Sequence, residues 1–440
     1  MTNQSIAIIG GGLTGLVAAL RLAEKGACVT VFEAGQKLGG LAASFQMQGE
    51  PMEKAYHHLF ITDVEILDLI RELGMDDRLE WLESSLAIFR DGKAWPFMSP
   101  LDLLRFKPCS LAGRIRLGLV ALHLKHRSRW EGLVKVSAIN WMRRACGSSA
   151  TKAVWEPLLN GKFSDSAESV SMAWLWARLH IRSNSREKGA RREKLGYIRG
   201  GFIEIIKAME ARLKSLGVRI ELNARIGSIE EANGRVAIHR DRGNELFDAA
   251  LFTGSNRAFS RVLPDSELTV DYKTALAQVR YLGAICMVFE TDQKLGDFYW
   301  VNVNEKDSPF LVMIRHTKLV PAERYGGKEI YYLGAYVPHE DRRFTLDTGE
   351  LRDEWFTTLK GMHPEFETQR VSQFHCFRFR DAQHVVDCDY ESKLLPYEGP
   401  FPGLYLANFA QIFPQDRGTN FAVREGNKVA QRIESALADR

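Results

Sequence analysis

The chain has 440 residues, a formal net charge of +4, 45% hydrophobic residues and 26% charged residues. These proportions exclude a disordered polymer and a bundle of membrane spans, and the length predicts two globular domains with real cores. Six scattered cysteines (Cys28, Cys109, Cys146, Cys286, Cys376 and Cys388) form no C-x-x-C pair, which argues against a disulfide scaffold and for a reducing cytoplasm.

The first residues do not read as a secretory signal, since Met1 to Gln4 carry no Lys or Arg and acidic Glu24 follows closely. Ser5 to Ile9 is instead a short apolar strand, and Leu13 to Lys25 sets Leu16, Ala19, Leu20 and Ala23 along one helical stripe. Cys28 to Phe32 is a second strand ending on Glu33, which completes a βαβ unit. Between the first strand and the helix lies G-x-G-x-x-G. In that turn Gly10 permits the bend, Gly12 lets a pyrophosphate approach the backbone, and Gly15 allows close helix-strand packing. The helix start offers unpaired N–H groups to the pyrophosphate. Glu33 is placed to accept from both ribose hydroxyls and would repel a 2′-phosphate, which disfavours NADP. The bland alternative is a glycine turn without a nucleotide, and the register of strand, helix and acidic strand end argues against it.

Further along, 63–79 reads as an amphipathic helix closed by Gly74, followed by a hairpin over Ala87 to Trp95 that turns at Asp91-Gly92. Leu101 to His180 is mainly helical, basic and Trp-rich. Its Arg105 to Arg144 section carries Arg105, Lys107, Arg114, Arg116, Lys125, Arg127, Arg129, Lys135, Arg143 and Arg144 against one acid, Glu131, and the bases are interleaved with leucines. That mixture fits a helix lying on an anionic membrane, or equally a solvated basic face or an entrance that attracts an anionic substrate. No nucleic-acid-binding motif accompanies the charge, so nucleic acid is not expected as a partner. Arg182 to Lys194 reads as an exposed loop.

Phe202 to Leu216 then gives an amphipathic helix ended by Gly217. Short strands follow at Val218–Leu222, Ile226–Glu230 and Val236–His239, with Asn233-Gly234 as a hairpin turn. Between 270 and 375, AICMVFE, PFLVMIRHT and EIYYLGAYV predict an antiparallel wall, joined by a helix over 351–362. The end of the chain repeats the form of its beginning: a strand, a glycine turn at Gly418 and a terminal helix.

Three separated segments resemble one family, the flavin-containing amine oxidase superfamily, which includes protoporphyrinogen oxidases, carotenoid desaturases and, more distantly, UDP-galactopyranose mutases. They are the dinucleotide turn continued through VFEAGQKLGGLAASF, the segment YIRGGFIEIIKAMEARLKSLGVRIELNARIGSIE, and LYLANFAQIFPQDRGTNFAVREGNKVAQRI. A nicotinamide-only dehydrogenase needs neither the second nor the third, so the resemblance implies FAD. It implies contacts to FAD from Gly10, Gly12, Leu13, Thr14, Gly15, Glu33, Ala34, Gly39, Gly40 and Leu41, with Arg225 and Ile226 at the adenine. Gly418, Thr419 and Asn420 would stand at the pyrimidine end of the flavin. The chain departs from the family in having Leu41 where amine oxidases have arginine after Gly-Gly. It also has Ala407-Asn408 without an adjacent acid for the ribityl chain, a place Asp416 would take. Tyr56 to Phe60 is similar to the histidine stretch of the mutase branch, with Ala55 where glycine is usual.

His57 and His58, adjacent in a presumed strand, would point to opposite faces, so no metal site is expected. His58 is a candidate catalytic residue facing the flavin, with a structural histidine as the alternative. Arg417 is a candidate for binding an anionic substrate, or a helix-end carbonyl. Cys376 and Cys388 read as packing residues. Trp141, Trp155, Trp174 and Trp176 read as core, with an apolar tunnel as the sharper alternative. The fold expected is α/β: a discontinuous Rossmann-type FAD-binding domain (1–85, 195–262 and 376–440) and a mixed α+β substrate domain (86–194 and 263–375). The function expected is an FAD-dependent oxidoreductase passing a hydride from a lipophilic or lipid-linked small molecule to flavin N5. A mutase using reduced flavin and a non-catalytic lipid-binding escort are the alternatives. The protein is expected in the cytoplasm or peripherally on the inner face of a membrane, docked through 105–144.

Overall fold

The computed structural model describes residues 3–185, 193–241 and 243–438. The helices that position the site are α1 (Leu13–Glu24), α2 (Val64–Glu72), α3 (Leu111–His126), α4 (Glu156–Phe163), α5 (Met172–Asn184), α6 (Ile203–Ser215), α7 (Thr348–Met362) and α8 (Thr419–Ala438).

Strands β1 (Ser5–Ile9) and β2 (Cys28–Phe32) pair in parallel, and β1 pairs in parallel with Ala249–Phe252 on its other side. Arg219–Glu221 and Leu404–Leu406 complete a five-stranded parallel sheet at its two edges. Ile6, Ala7 and Ile8 have no exposure at all, because a parallel sheet is covered on both faces. One face packs on α1, α6 and α8 through Leu16, Leu20, Ile206, Leu213, Val429 and Ile433. On the other face, Ala7, Ile9 and Phe32 join a core with Ile229, Val236 and Ile238 from an antiparallel three-stranded sheet. That sheet turns at Asn233-Gly234, both at positive φ, as a tight hairpin requires. Its first strand is Ser228–Ala232, two residues later than the pattern predicts, since residues 223–226 are drawn instead against the end of β2.

The second sheet has seven strands in the order 371–384, 281–291, 329–337, 312–315, 300–303, 86–90, 93–96. The three β-rich runs form its antiparallel centre, and the hairpin at Asp91-Gly92 adds its edge. The sheet is mixed because Trp300–Val303 runs parallel to Leu86–Arg90. The Val371–His384 strand pairs with Tyr281–Thr291 along its length. It therefore crosses residue 375, where the sequence divides the two halves. One face of the sheet buries Met287, Phe289 and Leu333 against Leu351, Trp355 and Leu359 of α7. A separate core gathers α3, α4 and α5, with Trp155, Trp174 and Trp176 inside it. Arg182 lies within α5, and Ser185 and Glu193 are buried, so the ends of the expected loop are anchored; residues 186–192 lie outside the described residues.

The two chain ends meet where α8 crosses α1. A Cβ added to Gly426 would stand 2.8 Å from the Thr14 carbonyl oxygen and 2.8 Å from the Val17 Cβ. Gly426→Val should therefore cost about 1–3 kcal/mol by forcing the helices apart, as overpacked cores do. Urea unfolding of the variant checks this; an unchanged midpoint would contradict the crossing.

Candidate cofactor and substrate site

The glycine turn is held by contacts that side chains could not make. Gly10 has φ +117°, and a Cβ on Gly15 would lie 2.1 Å from the Gly10 carbonyl oxygen. Gly12 precedes α1 with no side-chain cap, so the first-turn N–H groups of Leu13 and Thr14 face the turn without a side-chain acceptor. Gly39 donates its N–H to the Gly11 carbonyl at 2.8 Å, which sets Gly40 against Gly12 backbone to backbone. Leu41 follows and lines the central cavity.

Glu33 ends β2 and turns back on the loop. Its carboxylate accepts the N–H of Gly11 at 2.7 Å and of Gly35 at 2.6 Å, flanking Ala34. Residues 223–226 lie beside it: the N–H of Ala224 donates to the Glu33 carbonyl at 2.8 Å, and that of Asn223 to the Gly35 carbonyl at 2.9 Å. Arg225 is exposed there and Ile226 is packed in the core with Phe32, so the structure places both near the end of β2.

Beyond Gly40, a cavity of about 270 Å³ has walls that include Leu41, His57, His58, Arg417, Gly418, Thr419 and Asn420. Asn420 Oδ1 accepts the Ile66 N–H at 3.2 Å, which ties the start of α8 to α2. His57 and His58 lie in irregular backbone rather than a strand, just before the isolated bridge of Leu59 with Gly196. Both therefore reach the cavity. His58 Nδ1 hydrogen-bonds with the Tyr299 hydroxyl at 3.2 Å, and its ring meets Phe60 and Trp300 edge-on. Burial lowers His57 to about 4 and His58 to about 3, so both are neutral at physiological pH. Tyr56 packs edge-on against Trp300, with ring centroids 5.0 Å apart.

Asp416 does not stand free for a ribityl chain. Its Oδ2 accepts from Lys162 Nζ and Arg178 Nη1, both at 2.8 Å, while its Oδ1 accepts from Gln383 at 3.2 Å and from the Arg417 N–H at 3.1 Å. Both oxygens are spent on holding α4, α5 and the approach to α8 together. Burial alone would raise this carboxyl, but Lys162, Arg178 and Arg417 outweigh it and hold it far below the usual range. Arg417 donates to the Tyr336 hydroxyl at 3.1 Å. Burial would raise Tyr336 too, yet Lys162 and Arg417 leave it below an ordinary phenol.

Lys162, Arg178 and Tyr336 are the residues the sequence reading missed. A signal existed for the first: Lys162 sits among Leu158, Leu159 and Phe163 on α4, a charge on a stripe that should be apolar, and it is only 4% exposed. Arg178 and Tyr336 carry no such mark, since one follows a buried helix face and the other ends a strand of the mixed sheet.

A parallel dinucleotide-type sheet joined through its cavity to a mixed substrate sheet defines the architecture of a flavoprotein oxidoreductase. The family described as flavin containing amine oxidoreductase matches residues 13–433, and the chain belongs to that family, whose cofactor is FAD. Among curated relatives, the 15-cis-phytoene desaturase of Capsicum annuum is 23% identical over 430 residues, covering 91% of this chain and 73% of that protein. An oxidoreductase from Methanosarcina mazei has the same fold, with a TM-score of 0.75, 16% identity and coverage of 97% of this chain and 100% of that one. Reduced UDP-galactopyranose mutase gives a TM-score of 0.77 at 15% identity, covering 99% of this chain and 94% of that one.

Asp416→Asn should leave Lys162 and Arg178 without their shared counter-charge and cost about 3–5 kcal/mol. The sign with pH follows from the depressed carboxyl, which contributes stability above its unfolded value near 3.8 and loses it as pH falls further. Between about pH 5 and pH 2 the wild type should therefore lose more stability than the variant. Equal losses in acid unfolding curves would contradict the ion-pair role.

Proposed function

We propose that this FAD-dependent oxidoreductase dehydrogenates an apolar or lipid-linked small molecule taken up from the surface of an anionic membrane. The observation that carries this is the outer face of α3. Leu111, Ile115, Leu119 and Leu122 form a stripe there, each between 51% and 61% exposed, while Gly113, Leu117 and Leu124 bury the opposite stripe. Leu101 and Leu104 are also exposed, as are Arg105, Lys107, Arg116, Lys125 and Arg129 of the same stretch. Exposed apolar side chains on a segment rich in bases match acyl chains beneath anionic headgroups. Among the described residues no helix is long and apolar enough to cross a membrane, so the contact proposed is with the surface.

In this reading the groove from Glu33, Arg225 and Ile226, over Gly12 and Gly40, to Gly418, Thr419 and Asn420 holds FAD. FAD supplies the hydride acceptor when bound. The uncapped start of α1 supports the pyrophosphate, and Glu33 orients the ribose. Residues 1–85, 195–262 and the chain after 384 then form the cofactor half. Tyr56, His58, Phe60 and Trp300 wall the cavity and keep water from the reacting bond. Neutral His57 and His58 leave that wall uncharged, so positioning, rather than a strong acid or base, is their contribution.

Two substitutions test the cofactor groove. A Cβ on Gly12 meets nothing closer than Gly40 Cα at 3.9 Å, and its φ of −77° suits any residue. Gly12→Ala should therefore fold normally and retain FAD at least about tenfold less well, an effect of about 1.4 kcal/mol or more. Gly15→Ala should instead lower the melting temperature. Bound FAD measured by absorbance after denaturation reads the first result; full retention in Gly12→Ala would refute the placement.

The membrane reading is tested by flotation on phosphatidylserine vesicles. Binding should weaken as salt rises from about 0.1 M to about 1 M, where the screening length falls from about 10 Å to about 3 Å. Serine at Leu111, Ile115, Leu119 and Leu122 together should abolish flotation without loss of FAD. Flotation unaffected by these changes would exclude this face as the docking surface.

A further inference from the structure

The cavity holds an excess of positive charge. Lys162, Arg178 and Arg417 all line it, and Asp416 is the carboxylate that pairs with the first two. Three cations against one carboxylate leave an excess of two charges. Of the other charged groups in the wall, Arg182 is paired with Glu193 at 3.1 Å. Asp63, whose carboxyl burial raises to about 6, accepts the Phe60 N–H and forms no ion pair with the cluster among the described residues, so it offsets the excess only in part and from a distance. The two histidines are neutral. Tyr336 supplies a partial answer through its bond with Arg417, and it does not reach Arg178. Arg417 Nε is buried and has no acceptor among the described residues. Buried cations without counter-charge are costly, by several kcal/mol per ion, which is why they are matched by partners.

We propose that Lys162, Arg178 and Arg417 form a subsite gripping an oxyanion, a carboxylate or a phosphate, carried by the substrate, an assignment that rests on the flavin-enzyme reading above. The guanidinium groups of Arg178 and Arg417 offer planar donors suited to such a group, and Lys162 adds a compact charge from the closed end of α4. Leu158, Ile181, Leu311, Val312 and Phe379 line the same cavity and accommodate an apolar body. The substrate is therefore amphipathic, with an acidic head and a hydrophobic remainder. A substrate presenting an ammonium group is rejected by like charge. Asp416 is a positioning residue in this scheme. Its Oδ2 fixes Lys162 and Arg178, its Oδ1 holds the Arg417 main chain, and the remaining side-chain donors are left for the ligand.

Calorimetric titration of the FAD-loaded protein with octyl phosphate, octanoate, octanol and octylammonium tests this. At least one of the two anions should bind ten or more times more tightly than octanol, and octylammonium more weakly than octanol. Whichever anion binds more tightly identifies the oxyanion. The Arg178 side chain is 34% exposed and its removal leaves the Lys162–Asp416 pair intact. Arg178→Met should therefore fold, retain FAD and lose about tenfold of the preference of the anion over octanol, with Arg178→Lys recovering part of it. Equal binding of anions and octanol, or a preference unchanged in Arg178→Met, would overturn the subsite. FAD content is measured on the same samples and the titration repeated without FAD. A yellow protein indifferent to anions thus defeats the subsite alone, whereas a protein that takes up no FAD defeats the flavin reading.

Discussion

The close crossing of α1 and α8 is the constraint on which the site depends. Residues more than four hundred positions apart meet there, and Gly426 permits it because no side chain stands between it and Val17. Polar contacts fix the rotation: Arg21 Nε donates to Asn427 at 2.9 Å, and Gln4 donates to the Leu437 carbonyl at 3.1 Å. Once α8 is held on α1, its first turn cannot point elsewhere. Gly418 to Asn420 are delivered to the cavity, while the α1 turn faces Gly40. A small residue at one helical position thus decides whether two distant motifs share a groove.

Asp416 performs the corresponding task between the two halves. It lies just before α8, yet its partners come from α4 and α5 of the substrate half and from Gln383 at the end of the longest strand. A half-buried carboxylate with four donors is held in one place, and losing it would leave Lys162 and Arg178 without their shared counter-charge. The same contacts that dock the halves orient the cations lining the cavity. Stability of the junction and the electrostatic character of the site are therefore properties of one cluster.

The parts of this arrangement legible in the sequence are those encoded by near neighbours. The β1-α1-β2 unit, α6 and the turns at Asp91-Gly92 and Asn233-Gly234 follow from periodicity and turn chemistry within a few residues. Family resemblance extended this to Gly39, Gly40 and the start of α8. Features set by long-range contacts escaped. His57 and His58 read as an adjacent pair in a strand, but their backbone is irregular, and the pairing begins only at the isolated bridge between Leu59 and Gly196. Asp416 read as the acid for the ribityl chain because none stands beside Ala407-Asn408, and sequence cannot reveal that Lys162 and Arg178 already pair with it. The cationic cluster draws on α4, α5, the strand ending at Val337 and the approach to α8, and no local pattern records such a meeting.

The two apolar stripes of α3 connect the surface to this cluster. A helix that is apolar on one side is explained by the core it covers, and the stripe of Gly113, Leu117 and Leu124 has that explanation. The second stripe has no partner among the described residues, so folding alone does not account for it. Its inner neighbour is α5, on which α3 packs, and the Trp176 indole donates to the Arg127 carbonyl just beyond the end of α3 at 3.1 Å. The far side of α5 carries Arg178, Ile181 and Arg182 into the cavity wall. Helix α5 therefore lies between α3 and the cations. In the reading proposed above, an amphipathic molecule meets its apolar match on the outer face of α3 and its anionic match on the cavity side of α5.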